Sequence, residues 1–474
     1  MKLSFETVGP SDRRTRIQDI LDRVSSAGVE SVRLSFADQH GLLRGKTIPV
    51  SGLKDALENG CAMTSTLLLK DTSHRTVFPV WTKEGGYDLP GLKGAGDILM
   101  MPDPDTFQIL PWAEKTGWLL CDLALKDGTA MPFCTRSRLR NALSLLAEAG
   151  YEHRTGLELE FTVLKLENKK LAYQDAGHPP APVETSLVTR GYQYLTESQA
   201  DELEPVFETI RTVCEGLSLP LRSLEVEFGP SQVEATFHPQ ETMKTADCTV
   251  LFRSAIKQAL RRIGYHATFM CRPALPEVFS NGWHVHQSLI HRDTGKPAFV
   301  DAQEPLSPLC KNFLAGLLDH AAASCLLTTP TINGYKRYRP FVLAPDRILW
   351  GMDNKGAMLR VVGAPGESAT RIENRAPEPA ANPYLCMASQ VLCGMDGMKR
   401  KAEPPPPTEA PYAEGVLLPR TILEAIDAFS GSAFYRKAWG DAFVDYLVTL
   451  KKAELARFFA EVTDWEQREY FEIF

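Results

Sequence analysis

Apolar positions recur along the chain with two different periods, and the change between them marks out the elements. From residue 31, Val32, Leu34 and Phe36 alternate with Ser31, Arg33 and Ser35, a period of two that predicts a strand. Asp38 to Gly41 reads as a turn, so a hairpin is expected with the residues up to Val50. Residues 71 to 98 are rich in Gly, Pro and polar groups and read as a long loop, and "LLCDLAL" (119 to 125) as another strand. Beyond "DGTAMPFCTRS" (127 to 137) the period lengthens. Leu139, Ala142, Leu143 and Leu146 fall at i, i+3, i+4 and i+7 and predict a helix closed by Gly150. Leu203, Val206, Phe207, Ile210, Val213 and Leu217 predict a second helix, and residues 242 to 263, followed by Gly264, a third. "AEPPPPTEAP" (402 to 411) is a polyproline-like connector before a helical tail. There is no internal repeat. The pattern predicts an α+β chain with a small sheet domain over 1–125 and a larger domain over 126–474.

One strand carries an oddity. In "GLELEF" (156 to 161), Glu158 and Glu160 share a face while Leu157, Leu159 and Phe161 occupy the other. Adjacent carboxylates repel, and burying either without a partner costs several kcal/mol or forces it to take up a proton. A cation is therefore required. Similar stretches follow. "EVEFGPSQVE" places Glu227 and Glu234 around a Gly-Pro turn, "NGWHVHQSL" places His284 and His286 on one face, and "TRIENRAP" alternates Arg371, Glu373 and Arg375. "NGYKRYRP" adds Lys336, Arg337 and Arg339. Singly, each of these is an ordinary solvated face, a satisfied core histidine or a surface ion-pair ladder of little worth. Together, five acids and one histidine on strands make a hard, oxygen-rich ligand set suited to Mg²⁺ or Mn²⁺ rather than zinc. The arginines suit carboxylate and phosphate groups. Divalent metal with arginines and no nucleophile motif points to phosphoryl transfer. No P-loop or kinase pattern is present.

Composition narrows the class. The net charge of -7 and pI near 5.9 argue against a nucleic-acid-holding protein. No apolar run is long enough for a membrane span, and the first residues do not read as a signal or transit peptide, so a cytoplasmic protein is expected. The ten cysteines are scattered without CxxC spacing and read as reduced, packed thiols.

The ordered stretches "GLELEF", "EFGPSQVE", "HATFMCRP", "HVHQSL", "RIENRAPEPAANPYL" and "GMDGMK" closely resemble the glutamine synthetase family of the bacterial type, and "RGKTIP" and "PDPDTFQILPW" add matches in the small domain. The resemblance runs from about residue 17 to the end of the chain. It implies an N-terminal β-grasp domain, then a catalytic domain built on a curved antiparallel sheet with flanking helices. It also implies a homo-oligomer, typically a dodecamer of two hexameric rings, with active sites between neighbouring subunits. By position, Glu160, Glu227 and Glu234 resemble ligands of the metal beside the amino-acid substrate, and Glu158, His284 and Glu373 those of the metal between nucleotide phosphates. Arg337 and Arg375 resemble residues that bind glutamate and the transferred phosphoryl group. Arg360 and Arg371 resemble nucleotide-phosphate ligands, and His286 with Ser288 an ATP contact. Glu227 is a candidate base. Tyr412 lies near the family's regulatory tyrosine but lacks its usual surroundings.

Departures from the family pattern carry further information. Where the family supplies a glutamate base after its Lys-Arg pair, this chain reads "KRYRPFVLAP", with Leu343 at the acid's place. Where an aspartate helps to bind ammonium, it reads "GCAMTST", with Thr64 aligned. Trp283 replaces a methionine beside the metal histidine, and Lys355 an arginine near the γ-phosphate. With two ammonium-binding carboxylates missing, the resemblance implies an ATP-dependent ligase that joins glutamate to an amine other than ammonia, as the family's γ-glutamyl-polyamine, γ-glutamyl-alkylamide and γ-glutamyl-anilide synthetases do. A less acidic pocket, walled by Trp283 and Phe341, favours an arylamine such as aniline, then a small alkylamine. Two rivals stay open: a glutamine synthetase using ammonia, and a silent structural relative of the lens type.

Overall fold

The computed structural model describes residues 10–82, 85–88, 91–168, 170, 172–340, 343–413 and 415–474. Residues 31–124 build a six-stranded mixed sheet from β1 (Ser31–Ala37), β2 (Leu43–Pro49), β3 (Cys61–Thr64), β4 (Asp97–Pro102), β5 (Gln108–Ile109) and β6 (Thr116–Ala124). Its order is β2-β1-β6-β4-β3, with β5 also on β6. The expected hairpin is present, Val32 opposite Ile48 and Phe36 opposite Arg44. β1 runs parallel to β6, and every residue of β6 is buried. A strand covered on both faces reads as a continuous apolar run, not an alternation, which is how "LLCDLAL" reads.

The second sheet has nine strands: β7 (Tyr151–Leu166), β8 (Thr185–Leu187), β9 (Leu221–Val226), β10 (Gln232–Glu241), β11 (Tyr265–Thr268), β12 (Trp283–His291), β14 (Trp350–Met352), β15 (Leu359–Val362) and β16 (Arg371–Asn374). β13 (Arg347–Ile348) and β17 (Val416–Leu417) pair separately. The main path is β14-β15-β16-β12-β7-β10-β9, antiparallel except between β14 and β15. β7 is its sixteen-residue spine, with β10 on one side and β12 on the other. Strict alternation gives this sheet two unlike faces. Leu157, Leu159, Phe161, Val233, Ala235 and Val285 are almost fully buried in the core, on the side of the helices Thr242–Arg262 and Pro383–Arg400. The other face carries the acids and histidines.

The three helices expected from the apolar stripes form over Thr135–Glu148, Glu204–Gly216 and Thr242–Arg262, and Gly150 and Gly264 each follow one with positive φ. Residues 402–411 hold no helix or strand, and four helices follow between Ile422 and Tyr470. All ten cysteines are free thiols and nine are buried. Among the described residues no helix is long and apolar enough to cross a membrane.

A buried cation ties the two sheets together. Arg136, near the start of Thr135–Glu148, lies 2.8 Å from Asp103, 3.2 Å from Asp122 and 2.8 Å from Asp247. Asp103 and Asp122 belong to the small sheet's connections and strands, and Asp247 to Thr242–Arg262. Removing one member of such a group leaves charge buried without its partner, at roughly 3–5 kcal/mol. Arg136→Met should therefore lower stability by about that amount, read as a fall in the urea midpoint. A variant as stable as the parent would show that the network carries no such weight.

Candidate active site

The strand register assembles the polar face residue by residue. On β7, Glu160 stands opposite Glu234 of β10, and Glu158 opposite Thr236 of β10 and His284 of β12. His286 of β12 stands opposite Glu373 of β16, which in turn faces Arg360 of β15. Four separate motifs thus become one row across the sheet. Glu227 and Arg375 lie just past the ends of β9 and β16, so the expectation that every acid sits on a strand is corrected for Glu227. Of the three cations in "NGYKRYRP", only Arg337 is buried; Lys336 and Arg339 are exposed. Arg337 approaches through the space left by Gly282, where a Cβ would meet its Nη2 at 2.6 Å.

Two cavities of about 370 Å³ each open along this face. One is lined by His286, Ser288 and Arg371, the other by Glu160, Glu227, Glu234, His284, Arg337, Leu343, Lys355, Arg360 and Arg375. Glu158, Arg222 and Arg371 line both, so the cavities adjoin.

Counter-charge is distributed unevenly. Fully buried Glu373 bonds to Arg375 at 2.5 Å and Arg360 at 3.0 Å; burial would raise its pKa, but Arg375 and the histidines hold it below the usual carboxylate range. Glu158 likewise stays well below that range despite burial, because His284 Nδ1 at 3.1 Å and His286 Nε2 at 3.0 Å act on it. Burial, then the neighbouring Arg375, lowers His284, so it is a neutral imidazole with a lone pair to give. Glu227 and Glu234 lack such compensation. Burial and Glu160 push Glu227 up to about 8, against the opposing Phe228 amide and Lys355, and burial with Glu160, Glu158 and Glu227 pushes Glu234 up to about 10. Glu160 takes hydrogen bonds from Gln232 Nε2 and the Gly282 amide, both at 2.9 Å.

These residues fit divalent cations. Glu158, His286 and Glu373 bring ligand atoms within 4.8 Å of one another, as do Glu158, Glu234 and His284. His284 Nδ1 lies 3.6 Å from Glu373 and its Nε2 3.7 Å from Glu160. His286, expected only as a nucleotide contact, is thus also within reach of a metal at Glu158.

Three expectations about the amine pocket meet different outcomes. Leu343 lines the acid cavity, is 42% exposed, has a φ of +56°, and accepts a bond from Arg375 Nη2 through its carbonyl at 3.2 Å. Trp283 does not line it: it stands opposite Leu159, fully buried in the core, because it alternates with the metal-facing His284. Its expected role as a pocket wall is withdrawn. Thr64 is exposed at the end of β3 and lines neither cavity, and Phe341 lies outside the described residues. The sequence reading missed Arg222, Tyr194, Phe228 and Phe279, which do line the acid cavity.

Residues 132–470 match the model of the glutamine synthetase catalytic domain. The chain belongs to the glutamine synthetase family. It is 42% identical to a γ-glutamylanilide synthase of an Acinetobacter species, across all of this chain and 99% of that protein. It is 33% identical to the γ-glutamylethanolamide synthetase GlnA4 of Streptomyces coelicolor, over 96% of each. A Methanosarcina mazei glutamine synthetase is 31% identical over 96% of this chain and 98% of that protein. A solved structure of ligand-free GmaS superposes with a TM-score of 0.80 at 26% identity, covering 96% of this chain and all of that one. The fold, with a small β-rich region before the catalytic sheet, is the one the motifs implied, and the chemistry is that of an ATP-dependent acid–amine ligase.

The raised carboxylates set a pH dependence with a definite sign. Without metal, and above the range in which the buried histidines titrate, the folded protein binds more protons than the unfolded chain up to about 8–10, because Glu227 and Glu234 titrate late. Stability should therefore fall as pH rises through that window. Millimolar Mg²⁺ should flatten the fall, since it takes the place of those protons and binds the folded state. Melting temperatures at about pH 7 and about pH 9, with and without Mg²⁺, check this. A metal-free profile that rises with pH would contradict it.

Proposed function

We propose that this ligase joins the γ-carboxylate of glutamate to an arylamine such as aniline, with a small alkylamine as the next choice and ammonia a poor acceptor. The observation that carries this reading is Leu343. An apolar side chain, partly exposed, lines the cavity shared by Glu227, Arg337 and Arg375, where an ammonia-using site calls for a carboxylate. Ammonia at neutral pH is mostly a cation and must be bound by charge and then deprotonated. An arylamine arrives neutral, needs no such pairing, and gains from apolar contact at about 25 cal/mol per Å². The 42% identity to a protein named γ-glutamylanilide synthase supports the same choice.

In this reading a γ-carboxylate oxygen of glutamate attacks the terminal phosphorus of ATP, the bond to the bridging oxygen breaks, and ADP leaves. The amine nitrogen then attacks the acyl carbon and phosphate departs. Arg337 and Arg375 orient the carboxylate and the moving phosphoryl group, and Lys355 adds positive charge without a guanidinium's two-pronged geometry. His286, Ser288, Arg360 and Arg371 hold the nucleotide side. Glu160, Glu227 and Glu234 would hold one divalent ion and Glu158, His284 and Glu373 another, Mg²⁺ or Mn²⁺, whose charge offsets that of the phosphates. Glu227 takes the proton released by the amine.

The assembly proposed with this site is a ring-based homo-oligomer, a dodecamer of two hexamers. Support comes from the exposed Phe459, Val462, Trp465, Phe471 and Phe474 at the end of the chain. In such an assembly Thr64 reaches an amine site only from a neighbouring copy.

With glutamate, ATP and Mg²⁺ supplied, competition among aniline, ethylamine, a polyamine and ammonia should give aniline the highest kcat/KM. Ammonia outcompeting every hydrophobic amine would sink the proposal in favour of a glutamine synthetase. Leu343→Glu restores an acid and should move the ammonia-to-aniline ratio towards ammonia by about tenfold or more. An unchanged ratio would mean that Leu343 merely fills space.

A further inference from the structure

Three aromatic rings from separate segments line the acid cavity, and nothing in the phosphoryl-transfer chemistry uses them. Tyr194 stacks on Phe228 with centroids 4.5 Å apart and planes 7° from parallel, and Phe228 meets Phe279 at 5.5 Å and 35°. All three line the cavity that holds Glu227 and Glu234, and Phe228 directly follows Glu227 in the chain. Tyr194 remains 40% exposed. Its segment is held firmly in place. Tyr192 N donates to Phe228 O at 2.6 Å, Leu195 N to Val226 O at 3.1 Å, and Tyr192 Oη to Glu277 O at 2.8 Å. Tyr192 and Leu195 adopt positive φ, +59° and +56°, a conformation that costs an L-residue and persists at sites whose surroundings over-determine it.

Such a stack needs an occupant of its own in a cavity whose other walls, Leu343 and Ala344 apart, are mainly charged and polar side chains. Glutamate has no ring to offer it. The adenine of ATP has one, but the His286–Ser288–Arg371 side that serves the nucleotide is the adjoining cavity, and none of the three rings lines it. The remaining reactant is the acceptor. Offset-stacked and tilted rings attract one another beyond their area of contact, and Phe228, next to Glu227 in the chain, carries the stack into the same cavity as Arg337 and Arg375.

We propose that Tyr194, Phe228 and Phe279 are the specificity-determining wall of the acceptor site, on which the amine's aromatic ring packs with its nitrogen turned towards Glu227. This rests on the arylamine reading above and identifies the residues that enforce it. They take the role that the sequence had assigned to Trp283.

The test separates the wall from the reading it rests on by using N,N-dimethylaniline, an aromatic amine with no N–H to exchange for an acyl group. In the wild-type enzyme it should compete with the acceptor amine. Phe228→Ala and Tyr194→Ala should each raise its inhibition constant about tenfold and lower the aniline-to-ethylamine kcat/KM ratio about tenfold. The KM for glutamate should move no more than about twofold. Tyr194→Ala guards against misfolding, because its ring is the most exposed of the three. Inhibition constants unchanged in both variants, or a glutamate KM that rises in step with them, would overturn the wall. If the wild type turns over ammonia but not aniline, the arylamine reading fails, while the inhibition series against ammonia still decides whether the wall exists.

Discussion

Everything at this site depends on one electrostatic problem: several carboxylates gathered on one face of a buried sheet with too little positive charge to balance them. Glu158 and Glu373 find partners within the chain, the ring nitrogens of His284 and His286 in the first case and the guanidinium groups of Arg360 and Arg375 in the second. Glu227 and Glu234 have no such partner: burial and the neighbouring carboxylates push both well above the ordinary carboxylate range, opposed at Glu227 by Lys355. Buried like charges are retained only when something offsets them. Glu158, Glu234 and His284, and Glu158, His286 and Glu373, are placed to hold a divalent cation that would do so, and it would supply positive charge for phosphoryl transfer.

The scaffold explains how the problem is held in place. β7 is central, so its outward residues are held from both sides: Glu158 sits between Thr236 and His284, and Glu160 stands opposite Glu234 while its amide donates to Gly282 O at 3.0 Å. A register slip of one residue would put Leu159 among the metal ligands and both glutamates in the core. The apolar face, packed on Thr242–Arg262, forbids it. Stability and chemistry are therefore specified by the same alternation, one on each side of the strand.

That alternation is why the metal face was legible in the sequence. Glu158 with Glu160 and His284 with His286 each announce a shared face, and the structure joins them. Trp283 follows the same rule. With His284 and His286 on the polar face, parity commits Trp283 to the core, and a family motif carries no information about that parity. The aromatic stack was illegible for a different reason. Tyr194, Phe228 and Phe279 come from three segments, and only tertiary folding brings their rings to 4.5 and 5.5 Å. Arg222 likewise gave no sequence signal, since one exposed arginine on a strand looks like any other.

The most direct measurement is the number of protons released when Mg²⁺ or Mn²⁺ binds, obtained by titration calorimetry near pH 7 in buffers of different ionisation enthalpy. If the cavity's carboxylates await a divalent ion, binding should expel about one to two protons per site, and the number should drop in Glu234→Gln. Metal binding with no proton release, or with a release that Glu234→Gln leaves unchanged, would contradict the view that these carboxylates are organised around the ion.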